Sequence, residues 1–257
     1  MQTLTRPTVE NRVRAHNTTD AMLAIGACTV SVIIPTLNEA ENLRHVLPLL
    51  PKHLHEVIIV DGRSTDNTIE VAKALIPDVK IVLQTGKGKG NALCAGFAAA
   101  TGDIIVHLDA DGSTDPHEIP VFVGALLSGA DFVKGSRFMQ GGGTSDMTLY
   151  RKLGNWGLMM AVRVLYGGNY TDLCYGYNAF WRTFLDVLDP DVPGFEIEAL
   201  MNVRALGNGL RVAEVPSFEA DRINGESHLR AIHDGIRILK VIVRERVKLA
   251  RRQMQSR

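Results

Sequence analysis

The sequence predicts an α/β fold, a mostly parallel sheet flanked by helices, and three observations carry that expectation. Short apolar runs rich in β-branched residues alternate with segments of helical spacing. The runs are apolar throughout rather than at every second position, the pattern of strands covered on both faces. Polar residues collect where each run ends, and parallel sheets of this kind bind ligands beyond the carboxyl ends of their strands. With 257 residues, 46% of them hydrophobic, the chain is long enough for one large domain with a sizeable core.

Residues 1–28 are polar and carry no helical or strand period, so they read as a mobile arm. The short apolar stretch at 21–27 follows Asp20 rather than a basic segment, which argues against a secretory signal. The domain proper is predicted over 29–228. Its first strand, 30–34, ends at Pro35, and a helix over 39–50 stops at Pro51. A second strand, 57–60, ends at Asp61, and Thr65-Asp-Asn-Thr68 opens a helix to Leu75. A third strand, 79–83, leads through Gly86-Lys-Gly-Lys-Gly90 into a small-residue helix over 91–100. The fourth, 104–108, delivers Asp109. Residues 229–257 are predicted as a basic amphipathic helix.

Several functions are excluded early. A formal net charge of zero gives no reason to expect nucleic acid as a partner. Cys28, Cys94 and Cys174 are odd in number, widely spaced and without metal-ligand spacing, so they read as inert thiols of a reducing, cytoplasmic compartment. No apolar run reaches the roughly 18 residues of a membrane span. The Gly/Lys loop lacks the Gly-Lys-Ser/Thr end of a P-loop, and residues 33–37 lack the glycines of a dinucleotide fingerprint.

The segment His107-Leu-Asp-Ala-Asp-Gly112 carries the sharpest chemistry. Mg2+ is commonly held by one or two carboxylates while substrate phosphates and water complete its shell. A turn after the strand, which Gly112 and Ser113-Thr-Asp-Pro116 favour, lets the backbone curl so that Asp109 and Asp111 face the same ligand. Any one such cluster also reads as a cap or turn. Here Asn38 with Glu39, Asp61, the Gly/Lys loop and Asp109 with Asp111 all fall on one sheet edge.

Five segments in order, Val32-Ile-Ile-Pro-Thr-Leu-Asn-Glu39, Val60-Asp-Gly-Arg-Ser-Thr-Asp66, Gly88-Lys-Gly-Asn-Ala92, Leu108-Asp-Ala-Asp111 and Gly135-Ser-Arg137, resemble a family 2 glycosyltransferase of the GT-A, Rossmann-like fold. The second half is most similar to dolichyl-phosphate mannosyltransferase and related polyprenyl-phosphate hexosyltransferases, through Tyr150-Arg-Lys152, Asp172-Leu-Cys-Tyr-Gly-Tyr-Asn-Ala-Phe180, Phe195-Glu-Ile-Glu198, Glu214-Val-Pro216 and Asp221-Arg-Ile-Asn-Gly-Glu-Ser-His-Leu229. The resemblance implies inverting transfer of mannose or glucose from a nucleotide diphosphate sugar, GDP-mannose or UDP- or GDP-glucose, to polyprenyl phosphate with Mg2+ or Mn2+. It implies donor contacts at Pro35, Glu39, Asp61 (base or ribose), Lys89 and Asp109, and metal at Asp109 and Asp111. The acceptor phosphate would fall to Arg137, Arg151 and Arg222, so that Asp109, Asp111, Arg137 and Arg222 carry the reaction.

Those arginines also follow from chemistry. An ionised phosphate needs no general base as nucleophile; it needs orientation and charge compensation, which guanidinium groups supply through paired hydrogen bonds. An alcohol acceptor on a soluble molecule or glycan would need a base instead, for which Asp172, Glu196 and Glu198 are candidates, each also readable as core or cap. An inactive sugar-nucleotide-binding protein is the reading of another class, suggested only by Asp61-Gly-Arg-Ser64 standing where the family has Asp-Asp-Gly-Ser. Ser113 stands where the mannosyltransferases place a further metal-ligating Gln. Residues 141–145, Gly-rich, are expected to form a mobile acceptor loop. In the C-terminal helix Leu229, Ile232, Ile236, Leu239, Val243, Val247 and Ala250 form one stripe, flanked by Arg237, Lys240, Arg244, Lys248 and Arg251. Such a helix suits peripheral contact at the inner face of a membrane, or docking on the domain or on a second subunit of a homo-oligomer.

Overall fold

A computed structural model describes residues 28–145, 147–226 and 230–255. The expected arm lies outside these residues apart from Cys28, as do Ser227, His228 and Leu229 of the last motif. The first half follows the predicted alternation: β1 (Val30–Thr36), α1 (Ala40–Val46), β2 (Glu56–Asp61), α2 (Thr68–Leu75), β3 (Lys80–Leu83), α3 (Lys89–Ala99) and β4 (Ile104–His107). The second half adds α4 (Ile119–Leu127), β5 (Phe132–Ser136), β6 (Gly143–Thr144), α5 (Leu149–Tyr166), β7 (Asn178–Trp181), α6 (Leu185–Leu188), α7 (Ile197–Gly207), β8 (Val212–Pro216), β9 (Phe218–Glu219) and α8 (Ala231–Gln255).

The main sheet has seven strands in the order β3-β2-β1-β4-β7-β5-β8. β7 alone runs against its neighbours, pairing His107 with Asn178 on one side and Lys134 with Asn178 on the other. This antiparallel insertion brings the ends of β4 and β5 around a single buried asparagine. Because both sheet faces are covered, successive β1 residues go to opposite cores: Val32 and Ile34 pack with α1, α2 and α4, and Ile33 packs with α3 and α7. A third core joins Val162 of α5, Ala199 and Val203 of α7, and Ile238 and Ile242 of α8, so the C-terminal helix is built into the domain.

Two expectations change. Residues 141–145 are held rather than free: Gly143 and Thr144 pair in parallel with Phe218 and Glu219, and the Thr144 hydroxyl donates to Glu219 at 2.6 Å. The stripe expected to define α8 is not the face that docks. Asp234, Ile238, Val241, Ile242 and Glu245 are buried, whereas Ile232, Ile236, Leu239, Val243 and Val247 remain exposed.

Close packing of α3 on the sheet rests on Gly96. A Cβ there would lie 2.5 Å from Ile33 Cγ2 and 2.9 Å from Val60 Cγ2. Gly96→Ala should therefore destabilise the protein by about 1–3 kcal/mol through overpacking, despite the higher helix propensity of alanine. Urea unfolding of the variant beside the parent checks this; equal midpoints would show that the interface yields.

Candidate active site

The strand ends open on a cleft of about 1190 Å3. Pro35 and Glu39 from the end of β1, Lys89 from the start of α3, and Asp109 and Asp111 after β4 all line it. The turn expected after β4 is present: Gly112 takes φ of +80°, and the Ser113 amide and hydroxyl donate to Asp111 Oδ1 at 3.0 and 2.7 Å. Ser113 thus orients Asp111. Asp61 behaves differently from the expectation of a base or ribose contact. It is buried outside the cleft lining, and its carboxylate accepts from the Ser64 amide at 2.9 Å and hydroxyl at 2.6 Å. Gln84, not singled out from sequence, lines the cleft instead and donates to the Gly88 carbonyl at 2.8 Å.

The Gly/Lys loop is shaped by a close approach. A Cβ at Gly88 would sit 2.3 Å from the Pro193 carbonyl oxygen, and one at Gly90 would sit 2.1 Å from that of Val192. Only glycines let the loop lie there, and α3 then starts at Lys89 on the cleft wall, where free helix amides suit a diphosphate. Lys89 Nζ pairs with Asp109 Oδ1 at 2.6 Å and Glu198 Oε1 at 3.2 Å. Burial opposes its charge, but the two carboxylates outweigh burial and hold it protonated above its ordinary range. Loss of solvation pushes the Asp109 carboxyl up to about 6; Lys89 opposes that rise and Asp111 adds to it. Gly176, which the sequence did not mark as functional, makes this cluster fit: a Cβ there would be 2.5 Å from Lys89 Nζ and 2.8 Å from Asp109 Oδ2.

The three expected arginines share the cleft lining but differ in state. Arg137 is buried and clamped, with Nε and Nη2 on Asp172 at 2.6 and 2.9 Å and Nη1 on both Glu219 oxygens at 3.0 Å. In this state its guanidinium organises the floor of the site. Arg222 is part exposed and bridges Glu39 Oε1 at 3.1 Å and Asp111 Oδ2 at 3.0 Å. Arg151 stands on the first turn of α5, beside the Thr148 cap.

Each of the three candidate bases is engaged by cations or hydrogen bonds of the protein. Burial raises the Asp172 carboxyl, but Arg137 and Lys134 overcome it and leave it below its usual range. Glu198 is likewise lowered, its burial outweighed chiefly by Lys89, and it accepts from Asn178 Nδ2 at 2.7 Å. Glu196 is buried outside the cleft lining, with Arg237 Nη2 at 2.6 Å. Burial also pushes the Cys28 thiol up to about 11 and Cys174 up to about 12, as inert thiols require.

Asp109 and Asp111 fit a hard divalent cation by donor type. Among the described residues no third His, Cys, Asp or Glu joins them, so diphosphate and water oxygens would complete the shell.

Comparison with known proteins agrees with this geometry. The model of glycosyl transferase family 2 matches residues 31–188. The chain belongs to that family. Among curated relatives it is 35% identical over 210 residues to a dolichol-phosphate mannosyltransferase of Pyrococcus furiosus, covering 78% of this chain and 59% of that protein. It is 34% identical over 212 residues to an undecaprenyl-phosphate mannosyltransferase of Micrococcus luteus, covering 78% of this chain and 87% of the relative. The fold is also that of glucosyl-3-phosphoglycerate synthase from Mycobacterium tuberculosis, solved with Mn2+, UDP and glucosyl-3-phosphoglycerate, at a TM-score of 0.71 and 26% identity over 90% of this chain and 84% of that one.

Two measurements probe the buried network. His107 is fully buried beside Asn178 and Glu198, and burial pushes its pKa down to about 4. The unfolded imidazole takes a proton below about 6.5, so this group makes folding less favourable as pH falls from about 6.5 to 4, by about 3 kcal/mol in all. Asp109, raised to about 6, works in the opposite direction over the lower part of that window. The histidine term is therefore read as a difference: the gap in unfolding free energy between parent and His107→Gln should shift in favour of the variant as pH falls from 7 to 4.5. A pH-independent gap would refute it. Arg137→Ala, which strands two buried carboxylates, should cost about 3–5 kcal/mol in urea unfolding.

Proposed function

We propose that the protein transfers a hexose, mannose by the names of its curated relatives, from a nucleotide diphosphate sugar to polyprenyl phosphate, with inversion and with Mg2+ or Mn2+ assistance. The observation that carries this reading is the composition of the cleft. Its lining holds Lys89, Asp109 and Asp111 together with Leu153, Ile232, Ile236 and Leu239 of α5 and α8. Polar, cation-binding groups suit a sugar diphosphate, and apolar ones suit a prenyl chain. Arg151 and Arg222 lie on the wall of the same cleft.

In this reaction an acceptor phosphate oxygen forms the new bond to the anomeric carbon as the bond to the leaving diphosphate breaks on the opposite face. The phosphate is already ionised and needs no general base. A divalent ion held by Asp109 and Asp111 would supply charge stabilisation to the departing diphosphate. The protein's own part is to position both substrates: Lys89 and the start of α3 at the donor, the arginines at the acceptor.

The outer faces of α5 and α8 support a lipid acceptor. Leu149, Leu153, Trp156, Met160 and Val164 are exposed on α5 at steps of four, three, four and four, and Ile232, Ile236, Leu239, Val243 and Val247 repeat those steps on α8. The two helices pack together, and Arg244, Lys240 and Lys152 are exposed on them. Among the described residues no helix is long and apolar enough to cross a membrane. Surface binding through these faces would bring the cleft to a lipid phosphate.

Labelled GDP-mannose and UDP-glucose, each supplied with undecaprenyl phosphate or 3-phosphoglycerate, test the reading. Label should pass into organic extracts from the lipid acceptor, stop on chelation, and fall on the order of a hundredfold or more in Asp111→Asn. Transfer to 3-phosphoglycerate with none to lipid would replace this acceptor by a soluble phosphate. In a separate assay, the protein should sediment with anionic vesicles at low salt, and Trp156→Asp together with Val243→Asp should release it. Retention of the double variant would assign the apolar faces elsewhere.

A further inference from the structure

Each carboxylate of the Asp109/Asp111 pair already has a cation of the protein against it, but the two cations are held differently. Lys89 side chain is 12% exposed, gripped by Asp109 and Glu198, and enclosed by the backbone of Gly176. Arg222 is 24% exposed and lies in the connection after β9 that carries no regular secondary structure. It reaches Asp111 with Nη2 alone, at 3.0 Å, while Nη1 holds Glu39 at 3.1 Å. Of the two, Arg222 is the exchangeable one.

The backbone around it does not need to move for that exchange. Ala220 donates to the Ser113 carbonyl at 2.9 Å and Ile223 to the Asp111 carbonyl at 3.0 Å. On the other side Asn224 is tied to Asn42 of α1 by reciprocal hydrogen bonds of 3.1 Å. Ile223 fills the space that a Cβ on Gly112 would take, with its Cδ1 at 2.4 Å from that position. The segment is stitched to the Asp111 turn and to α1 at once, so only the arginine side chain is free to change partners.

We propose that Arg222 is the resident counter-ion of Asp111, that a divalent cation displaces it, and that the released guanidinium becomes available to the acceptor phosphate. A cation on Asp111 and a guanidinium on the same oxygen exclude each other by charge and by space. Metal binding therefore converts Arg222 from an internal ion-pair partner into a phosphate ligand tethered by Glu39. Cation and acceptor phosphate then bind with positive coupling, each improving the other's affinity by the same factor. The phosphate half rests on the acceptor class proposed above; the displacement half does not.

The test separates the halves. Mn2+ alone, titrated by the loss of its free electron paramagnetic resonance signal, should bind Arg222→Gln about three- to tenfold more tightly than the parent, because the competing cation is gone. Equal or weaker binding by the variant overturns the displacement, and so does absence of Mn2+ binding to both proteins. Methyl phosphate, titrated calorimetrically, should bind the parent about fivefold or more tightly at saturating Mn2+ than without it, with that gain lost in Arg222→Gln. A gain retained in the variant would place the phosphate on the metal directly and overturn the role of Arg222. Lipid transfer is not part of either readout, so failure of the polyprenyl acceptor would appear only in the labelling assay.

Discussion

Compensating carboxylates within a cleft is the constraint on which the rest of this structure depends. An ionised carboxylate away from water is tolerated only with a charged partner and hydrogen bonds. The protein meets that requirement three times in the same form, one cation between two carboxylates: Lys89 between Asp109 and Glu198, Arg137 between Asp172 and Glu219, and Arg222 between Glu39 and Asp111. Each unit keeps one formal negative charge when its carboxylates are ionised. A diphosphate entering alone would meet that charge, whereas a diphosphate carrying a divalent cation would not.

The three units do not have equal freedom, and the difference follows from burial. Arg137 is held by four short contacts with both partners buried, which makes it part of the floor joining β5, β9 and the segment after α5. Lys89 lies at the boundary between floor and cleft. Arg222 is the most exposed of the three. Stability and exchange are distributed along this gradient, so the residue able to change partners is the one nearest the incoming ligands.

Much of this was legible in the residues because it is local. Strands β1 to β4, their polar ends and the turn at Gly112 all follow from short-range pattern, and the pairing registers confirm a parallel arrangement for them. β7 was not legible: Asn178-Ala-Phe-Trp181 is a short apolar run like the others, and nothing within it specifies that it runs antiparallel between β4 and β5. Gly176 escaped for the same reason, since its role arises from Lys89 reaching it across the fold, whereas Gln84 meets Gly88 only four residues on, through the shape of the Gly/Lys loop. For Asp61 a sequence shows a carboxylate at a strand end but not that Ser64 turns back to hydrogen-bond it. For α8, periodicity identified an apolar stripe correctly as a stripe. It could not say that the helix has a second, more polar docking face, because Asp234 and Glu245 are buried there only by virtue of partners such as Arg204.

That second face ties the outer surface of the protein to its donor loop. Arg237 of α8 holds Glu196 at 2.6 Å, and a Cβ on Gly194 would lie 2.9 Å from the same guanidinium. The neighbouring carbonyls of Val192 and Pro193 press against Gly90 and Gly88, and the Asn91 amide donates to Pro193 at 3.2 Å. A continuous line of contacts therefore runs from α8 through residues 192–196 to the loop that sets Lys89 against Asp109. The helix with exposed Ile236, Leu239 and Val243 on one side is, on the other, part of the backing of the Gly/Lys loop. Because interiors packed this closely transmit displacement rather than absorb it, α8 cannot be shifted on the domain without also disturbing the position of Lys89. The apolar surface and the polar site are in this sense one construction, joined by an arginine on the helix and by glycines that leave no slack between the parts.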